Sequence, residues 1–129
     1  MTELATWDDA LRPFRFSPKE SAIELMSRLT REWCAVLDVP MPKLRRGRTR
    51  VRREFWDHTQ IGAHTDRMIA LQPKMKVDKP PRRDAGPIVL MEFAPGVVGQ
   101  IDGRHRANMW RHRPGRYEVL VIEGWSCGS

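Results

Sequence analysis

The sequence predicts a single α+β domain, in which a small mixed sheet carries a capped N-terminal helix and a short second helix. Residues 18–37 place apolar side chains at helical spacing. Residues 88–93 and 117–122 are short, mostly apolar runs, which are typical of buried strands. The chain of 129 residues is long enough for one modest hydrophobic core and too short for two.

The N-terminal helix has clear boundary signals. Ser17 is a helix cap, Pro18 suits the first helical position, and Glu20 completes a capping box. Pro40 stops the pattern. The apolar face consists of Ala22, Leu25, Met26, Leu29, Trp33, Val36 and Leu37. We therefore expect a helix from about residue 18 to residue 37, and we expect Trp33, together with Trp110, to belong to the core.

Positive charge is concentrated after residue 42. Residues 1–42 carry a net charge of −2 and residues 43–129 a net charge of +9, which gives +7 for the chain. This asymmetry favours a nucleic acid or a nucleotide as the partner, and an acidic protein partner also fits. A membrane partner is not expected, because no window approaches 18 consecutive apolar residues. We expect a cytoplasmic protein without a disulfide between Cys34 and Cys127.

Residues 43–53 hold seven bases and no acid, and they predict an arginine-rich strand. Arg48, Arg50 and Arg52 alternate with other residues, so a strand would display three guanidinium groups on one face, with Gly47 at a hairpin turn. The candidate nucleic-acid-binding residues are Arg45, Arg46, Arg48, Arg50, Arg52 and Arg53. An edge strand that its charge protects from aggregation explains the pattern equally well.

The other segments divide the domain further. Residues 1–60 form an N-terminal extension made of the helix and the arginine-rich strand. Residues 73–87 contain four prolines and no apolar period, and they predict a flexible basic loop. Residues 67–71 and 96–101 predict short strands. The sequence does not decide whether residues 54–66 form a helix or a loop.

The most specific motif is the DGRHR box at residues 102–106, which follows a predicted strand and precedes a short helix predicted for residues 104–112. A helix that begins after a glycine turn presents free backbone N–H groups, and basic side chains there add charged donors. The box therefore predicts a phosphate-binding site. Its predicted residues are Gly103, Arg104, His105 and Arg106. The alternative is a surface helix cap whose basic side chains pair with Asp102 or Glu118.

From residue 86 to residue 124, the order of strand, glycine box, helix and strand resembles the nucleotide-binding core shared by ParB partition proteins, ParB-like nucleases and sulfiredoxin. The resemblance implies phosphate binding by Arg104, His105 and Arg106, and placement of Asp102 beside the ligand. Two alternatives are open for the cofactor: a nucleoside triphosphate with Mg²⁺, or none. Arg104 stands where sulfiredoxin has its cysteine, so sulfinate chemistry is excluded. In a nuclease, Asp102 would hold a divalent cation and His105 would act as acid or base. One carboxylate is little for such chemistry, so binding is favoured over catalysis.

The opening helix and the strands after it also resemble the front of SprT-like zinc peptidases. The His-Glu-x-x-His motif of those enzymes is missing, because residues 91–95 read Met-Glu-Phe-Ala-Pro at the corresponding spacing. No metal site is expected. His58 and His64, with Asp57 and Asp66, are interpreted as polar loop residues.

These patterns together predict a phosphate-recognising ParB-like module that acts in DNA transactions. It would bind a nucleotide or a nucleic acid through the DGRHR box and the arginine-rich strand. The alternative is a small phage- or plasmid-type interaction protein, whose basic surface blocks a partner that handles nucleic acid.

Overall fold

The computed structural model describes residues 3–5, 22–40, 50–81, 86–94 and 96–123. These residues form five strands and three helices, which confirms the predicted α+β fold. In chain order the elements are β1 (Glu3–Ala5), α1 (Ala22–Leu37), β2 (Arg50–Asp57), α2 (His58–Leu71), β3 (Ile88–Ala94), β4 (Val97–Asp102), α3 (Arg104–Trp110) and β5 (Arg116–Glu123).

The described strands form one mixed sheet in the order β1-β2-β5-β3-β4. The central strands β3 and β5 run parallel, and the other three neighbouring pairs are antiparallel. In the parallel pair, Val89 lies opposite Leu120 and Leu90 lies opposite Val121. The short helix α3 connects β4 to β5, so the predicted order of strand, box, helix and strand is present in the fold.

Both faces of the central strands are buried. Successive side chains point to opposite faces, so Leu120 belongs to one hydrophobic cluster and Val121 to the other. Trp33 of α1 packs in the first cluster, and Trp110 of α3 packs in the second. Both tryptophans are less than a tenth exposed, which confirms their predicted place in the core.

The helix α1 ends at Leu37, as the sequence predicted, and its predicted start at residue 18 lies outside the described residues. Asp38 adopts a left-handed backbone conformation with φ of 54°, and the Val39 N–H donates to the Cys34 carbonyl over 3.0 Å. This six-residue bond is the helix stop of the Schellman motif. Among the described helices, none is long and apolar enough to cross a membrane.

The helix α2 covers two segments that the sequence did not predict as a helix. Residues 67–71 continue the helix, so the predicted short strand there is wrong. Residues 54–66, which the sequence left open, divide into the end of β2 and the first part of α2. The described residues of the predicted 73–87 loop, 73–81 and 86–87, form no helix or strand.

A capping box explains where α2 begins. The Asp57 carboxylate accepts hydrogen bonds from the backbone N–H groups of Thr59 and Gln60 over 2.8 and 2.9 Å. The Gln60 side chain in turn accepts from the Asp57 N–H over 2.9 Å. The Thr59 hydroxyl bond and the Gln60 N–H bond lower the pKa of Asp57. The carboxylate therefore stays ionised at the N-terminus of the helix, where negative charge is stabilising.

The contact between α1 and β4 depends on a glycine. The Trp33 indole N–H donates to the Gln100 carbonyl over 2.7 Å, and a Cβ atom at Gly99 would lie 2.7 to 3.0 Å from three Trp33 side-chain atoms. We expect Gly99→Ala to lower the free energy of unfolding by about 1–3 kcal/mol through overpacking. Urea denaturation measures this. Gly62→Ala is the control, because its Cβ meets only ordinary contacts at 3.6 Å or more, and equal losses in both variants would contradict the packing.

Candidate phosphate-binding site

Four strand ends meet at one end of the sheet, beside the DGRHR box. The last residue of β2, Asp57, pairs with the first residue of β5, Arg116. The first residue of β3, Ile88, lies opposite Val119 of β5. β4 ends at Asp102, next to the start of β3. We call this region the box end of the sheet.

The glycine of the box has a conformation and a position that exclude other residues. Gly103 precedes α3 with a φ of 97°, in the left-handed region. A Cβ atom there would lie 3.2 Å from the backbone and side chain of Ile88. The Gly103 carbonyl accepts from the Ala107 N–H over 2.8 Å, which starts the helix. Gly103 therefore brings the box close against the start of β3.

Arg106 lies inside the protein and joins three elements. Its side chain is only 5% exposed, and Nη2 donates to Oδ2 of Asp102 over 2.9 Å. The same nitrogen donates to the Pro87 carbonyl over 2.5 Å, and the guanidinium carbon lies 5.9 Å from the centre of the Trp110 ring. The pairing with Asp102 that the sequence left as an alternative is therefore present. It is largely buried rather than on the surface, so Arg106 holds the box together.

Arg104 and His105 lie further out. Arg104 is exposed, and its Nε donates to Nε2 of His105 over 3.3 Å. Burial lowers the pKa of His105, and the nearby Arg104 and Lys79 lower it further, against the opposing effects of the Val77 backbone and the Asp78 carboxylate. Nδ1 of the ring is buried and makes no hydrogen bond of normal length. His105 is therefore neutral at pH 7, and Arg104 carries the positive charge of the box to the surface.

Other exposed cations surround the box end. Val77, Asp78 and Lys79 all act on His105, so the loop after α2 lies beside α3 and brings one acid together with its cation. The turn between α3 and β5 carries Arg113, whose carbonyl accepts from the Tyr117 hydroxyl over 2.8 Å. The Tyr117 ring stacks on Trp110 at 4.6 Å with an angle of 6°, so this turn is fixed to the core. The residues that we call the basic surface are Lys79, Arg104, Arg113 and Arg116, all of them exposed.

The arginine-rich strand has a different environment from the one the sequence suggested. Arg52 is half-buried on the sheet and contacts Glu54 at 2.9 Å, Glu92 at 3.6 Å and also Glu123. Burial alone would lower the pKa of Arg52, but these three carboxylates raise it. Arg52 therefore neutralises carboxylates from three strands and has little capacity left for phosphate.

The remaining arginines of this segment divide between an ion pair and the undescribed part of the chain. Nε of Arg53 lies 2.9 Å from Oε2 of Glu118. The Arg50 side chain, together with Arg45, Arg46, Arg48 and the predicted turn at Gly47, lies outside the described residues. Nucleic-acid binding by this segment stays a prediction.

The interpretation of four polar residues as loop residues is wrong. His58, His64 and Asp66 lie in α2, and Asp57 caps it. His64 is buried with Nε2 2.9 Å from Oε1 of Gln100, and Asp66 pairs with Arg111 at 2.8 Å. Glu92 corresponds to the glutamate of the His-Glu-x-x-His motif of the peptidases, but it lies in a strand instead of a helix. Within the described part of the chain, no three His, Cys, Asp or Glu side chains are placed to hold a metal ion.

The predicted catalytic pair does not fit a magnesium nucleotide well. The Asp102 carboxylate, which would hold the cation, is already bound by the Arg106 guanidinium. His105 is oriented toward Arg104 and the loop after α2. Catalysis by Asp102 and His105, and a nucleoside triphosphate with Mg²⁺ as cofactors, stay predictions, and we derive no reaction step from them.

Comparison with known proteins gives no relative. No family model, no curated protein and no solved structure matches this chain. The resemblance to the ParB-like core therefore stays a prediction.

Proposed function

We propose that this protein binds the phosphate groups of a nucleic acid at the box end of the sheet, with Arg104 as the main contact. The observation that supports the proposal is that the two arginines of the box have different environments. Arg106 is buried on Asp102, whereas Arg104 is exposed among other cations. An exposed guanidinium group on a positive surface is the usual arrangement for contacts to phosphate.

The electrostatics of the surface support a polymeric ligand. Lys79, Arg113 and Arg116 extend the positive charge beyond the reach of a single phosphate. Two of the acidic side chains nearby have other partners, since Asp102 binds Arg106 and Glu118 binds Arg53, whereas the exposed Asp78 offsets part of the charge of Lys79. A nucleic acid with regularly spaced phosphates would contact several of these cations at once and release counterions. A nucleotide would use only the contacts at Arg104.

Arg104→Ala is expected to weaken nucleic-acid binding without changing the fold. Loss of one phosphate contact reduces the magnitude of the slope of log affinity against log salt by about 0.9 for a duplex or about 0.7 for a single strand, and weakens binding to all sequences alike. Anisotropy of fluorescein-labelled oligonucleotides, single-stranded and duplex, measured over a range of salt concentrations, gives both quantities.

Arg31→Ala is the matched control, because Arg31 is an exposed arginine on α1, away from the box. It removes the same formal charge and is expected to leave the salt slope nearly unchanged. Equal effects of the two substitutions would mean that only net charge matters, and the proposed contact would be wrong. Binding of a nucleoside triphosphate but of no oligonucleotide would contradict the polymeric ligand. No binding of either would favour the protein-blocking alternative.

A further inference from the structure

An exposed aromatic ring lies at the box end, on the face of the sheet opposite α3. Phe55 points to the same face as Val51, which packs under α1, because the two residues are four apart along β2. Phe55 is nevertheless 47% exposed, so α1 does not cover this end of the sheet. One exposed apolar side chain is not by itself a sign of binding, so the charged groups beside the ring decide what it can contact.

A cation lies beside this ring. The Arg116 guanidinium carbon is 5.9 Å from the centre of the Phe55 ring, within the range of a cation–π contact. Two carboxylates lie on the same face: Glu118 pairs with Arg53, and Asp57, which caps α2, lies opposite Arg116 on the neighbouring strand. The patch therefore combines an exposed ring with a planar guanidinium group, and its own charges balance. Nucleobases stack on both kinds of plane, while the phosphates would contact the cations nearer the box.

The basic surface leads from the box to this patch. Arg104 lies near the end of β4, Phe55 lies near the end of β2, and the exposed turn with Arg113 lies between α3 and β5. Three strand spacings separate β4 from β2, or about 14 Å across the sheet end. A few nucleotides of a flexible single strand can follow this path around the end of the sheet. A duplex cannot present an unstacked base to Phe55.

We infer that the nucleic acid is single-stranded, and that Phe55 and Arg116 stack against one of its bases while Arg104 binds its phosphates. This inference rests on the proposed function and adds the class of ligand to it. Stacking uses the π face that every base has, so little sequence preference is expected.

Phe55→Leu tests the inference, because leucine keeps an apolar side chain and removes the ring. The affinity for a labelled single-stranded oligonucleotide is expected to fall about tenfold or more, and the affinity for a duplex is expected to stay unchanged. Phe55→Tyr keeps a stacking plane and is expected to bind single strands like the unmodified protein. Leu71→Ala is the control for loss of exposed apolar surface, since Leu71 is 37% exposed on α2.

The outcomes separate the inference from the proposed function. If Phe55→Leu binds single strands normally while Arg104→Ala is weakened, stacking is wrong and phosphate binding stands. If the unmodified protein binds duplex but not single strands, the ligand class is wrong and phosphate binding again stands. If Arg104→Ala and Arg31→Ala behave alike, the phosphate contact fails and the inference fails with it. Unfolding midpoints of all variants, measured in urea, establish that each one is folded.

Discussion

Asp102→Ala is expected to lower the free energy of unfolding by about 3–5 kcal/mol, the usual cost of breaking a buried ion pair from one side. The substitution leaves the guanidinium of Arg106 almost wholly buried without a carboxylate, with the Pro87 carbonyl and the Trp110 ring beside it. A buried charge without its counterion is far more costly than an exposed one, because water can no longer stabilise it.

The chain contains a matched control for this prediction. Arg28 and Glu32 form an ion pair with the same spacing of four residues, at 3.2 Å, but both side chains are about half exposed. Glu32→Ala is expected to cost less than about 1 kcal/mol. Chemical denaturation of the two variants compares a buried ion pair with an exposed one at the same spacing of four residues. Equal losses would contradict the buried role of Arg106.

Acidification is expected to destabilise the protein through His64. Burial lowers the pKa of His64 from 6.5 to about 4, against the hydrogen bond with Gln100, which raises it. The unfolded chain therefore binds a proton near pH 6.5 that the folded protein does not accept until about pH 4. The stabilisation from the neutral ring is complete above pH 6.5 and is lost as the pH falls toward 4. Its size is about 3 kcal/mol.

The measurement is the difference between two pH profiles of stability. Carboxylates also titrate below pH 6.5, so the profile of His64→Gln is subtracted from that of the unmodified protein. His112→Gln provides the control, because His112 is exposed. Parallel profiles for the unmodified protein and His64→Gln would show that burial does not shift the histidine.

The C-terminal half of the fold was predictable because its signals are local. The apolar runs that became β3 and β5 have few other structures available to them, and Gly103 gave the turn before α3. The helix α2 was missed because its buried stripe contains the polar residues His64 and Thr65. Its capping box, Asp57 with Gln60 three residues later, was a signal that could have located its start.

The candidate site was harder to predict because its chemistry depends on non-local contacts. The four-residue spacing of Asp102 and Arg106 permitted a pair, but only the packing of Pro87 and Trp110 around it makes it buried. The carboxylates that bind Arg52 come from three strands, and the sequence does not show which strands are neighbours. Lys79, Arg113, Arg116 and Phe55 were not predicted as binding residues. Their association appears only when the strand ends meet.

The most direct test of the central claim is to map the bound surface by nuclear magnetic resonance. Backbone amide shifts of the ¹⁵N-labelled protein would be followed during titration with an unlabelled single-stranded oligonucleotide. We predict that the largest changes fall at the box end, in residues 77–79, 104–105 and 112–116 and around Phe55. Changes centred on the exposed face of α1, with none at Arg104, would contradict phosphate binding at the box.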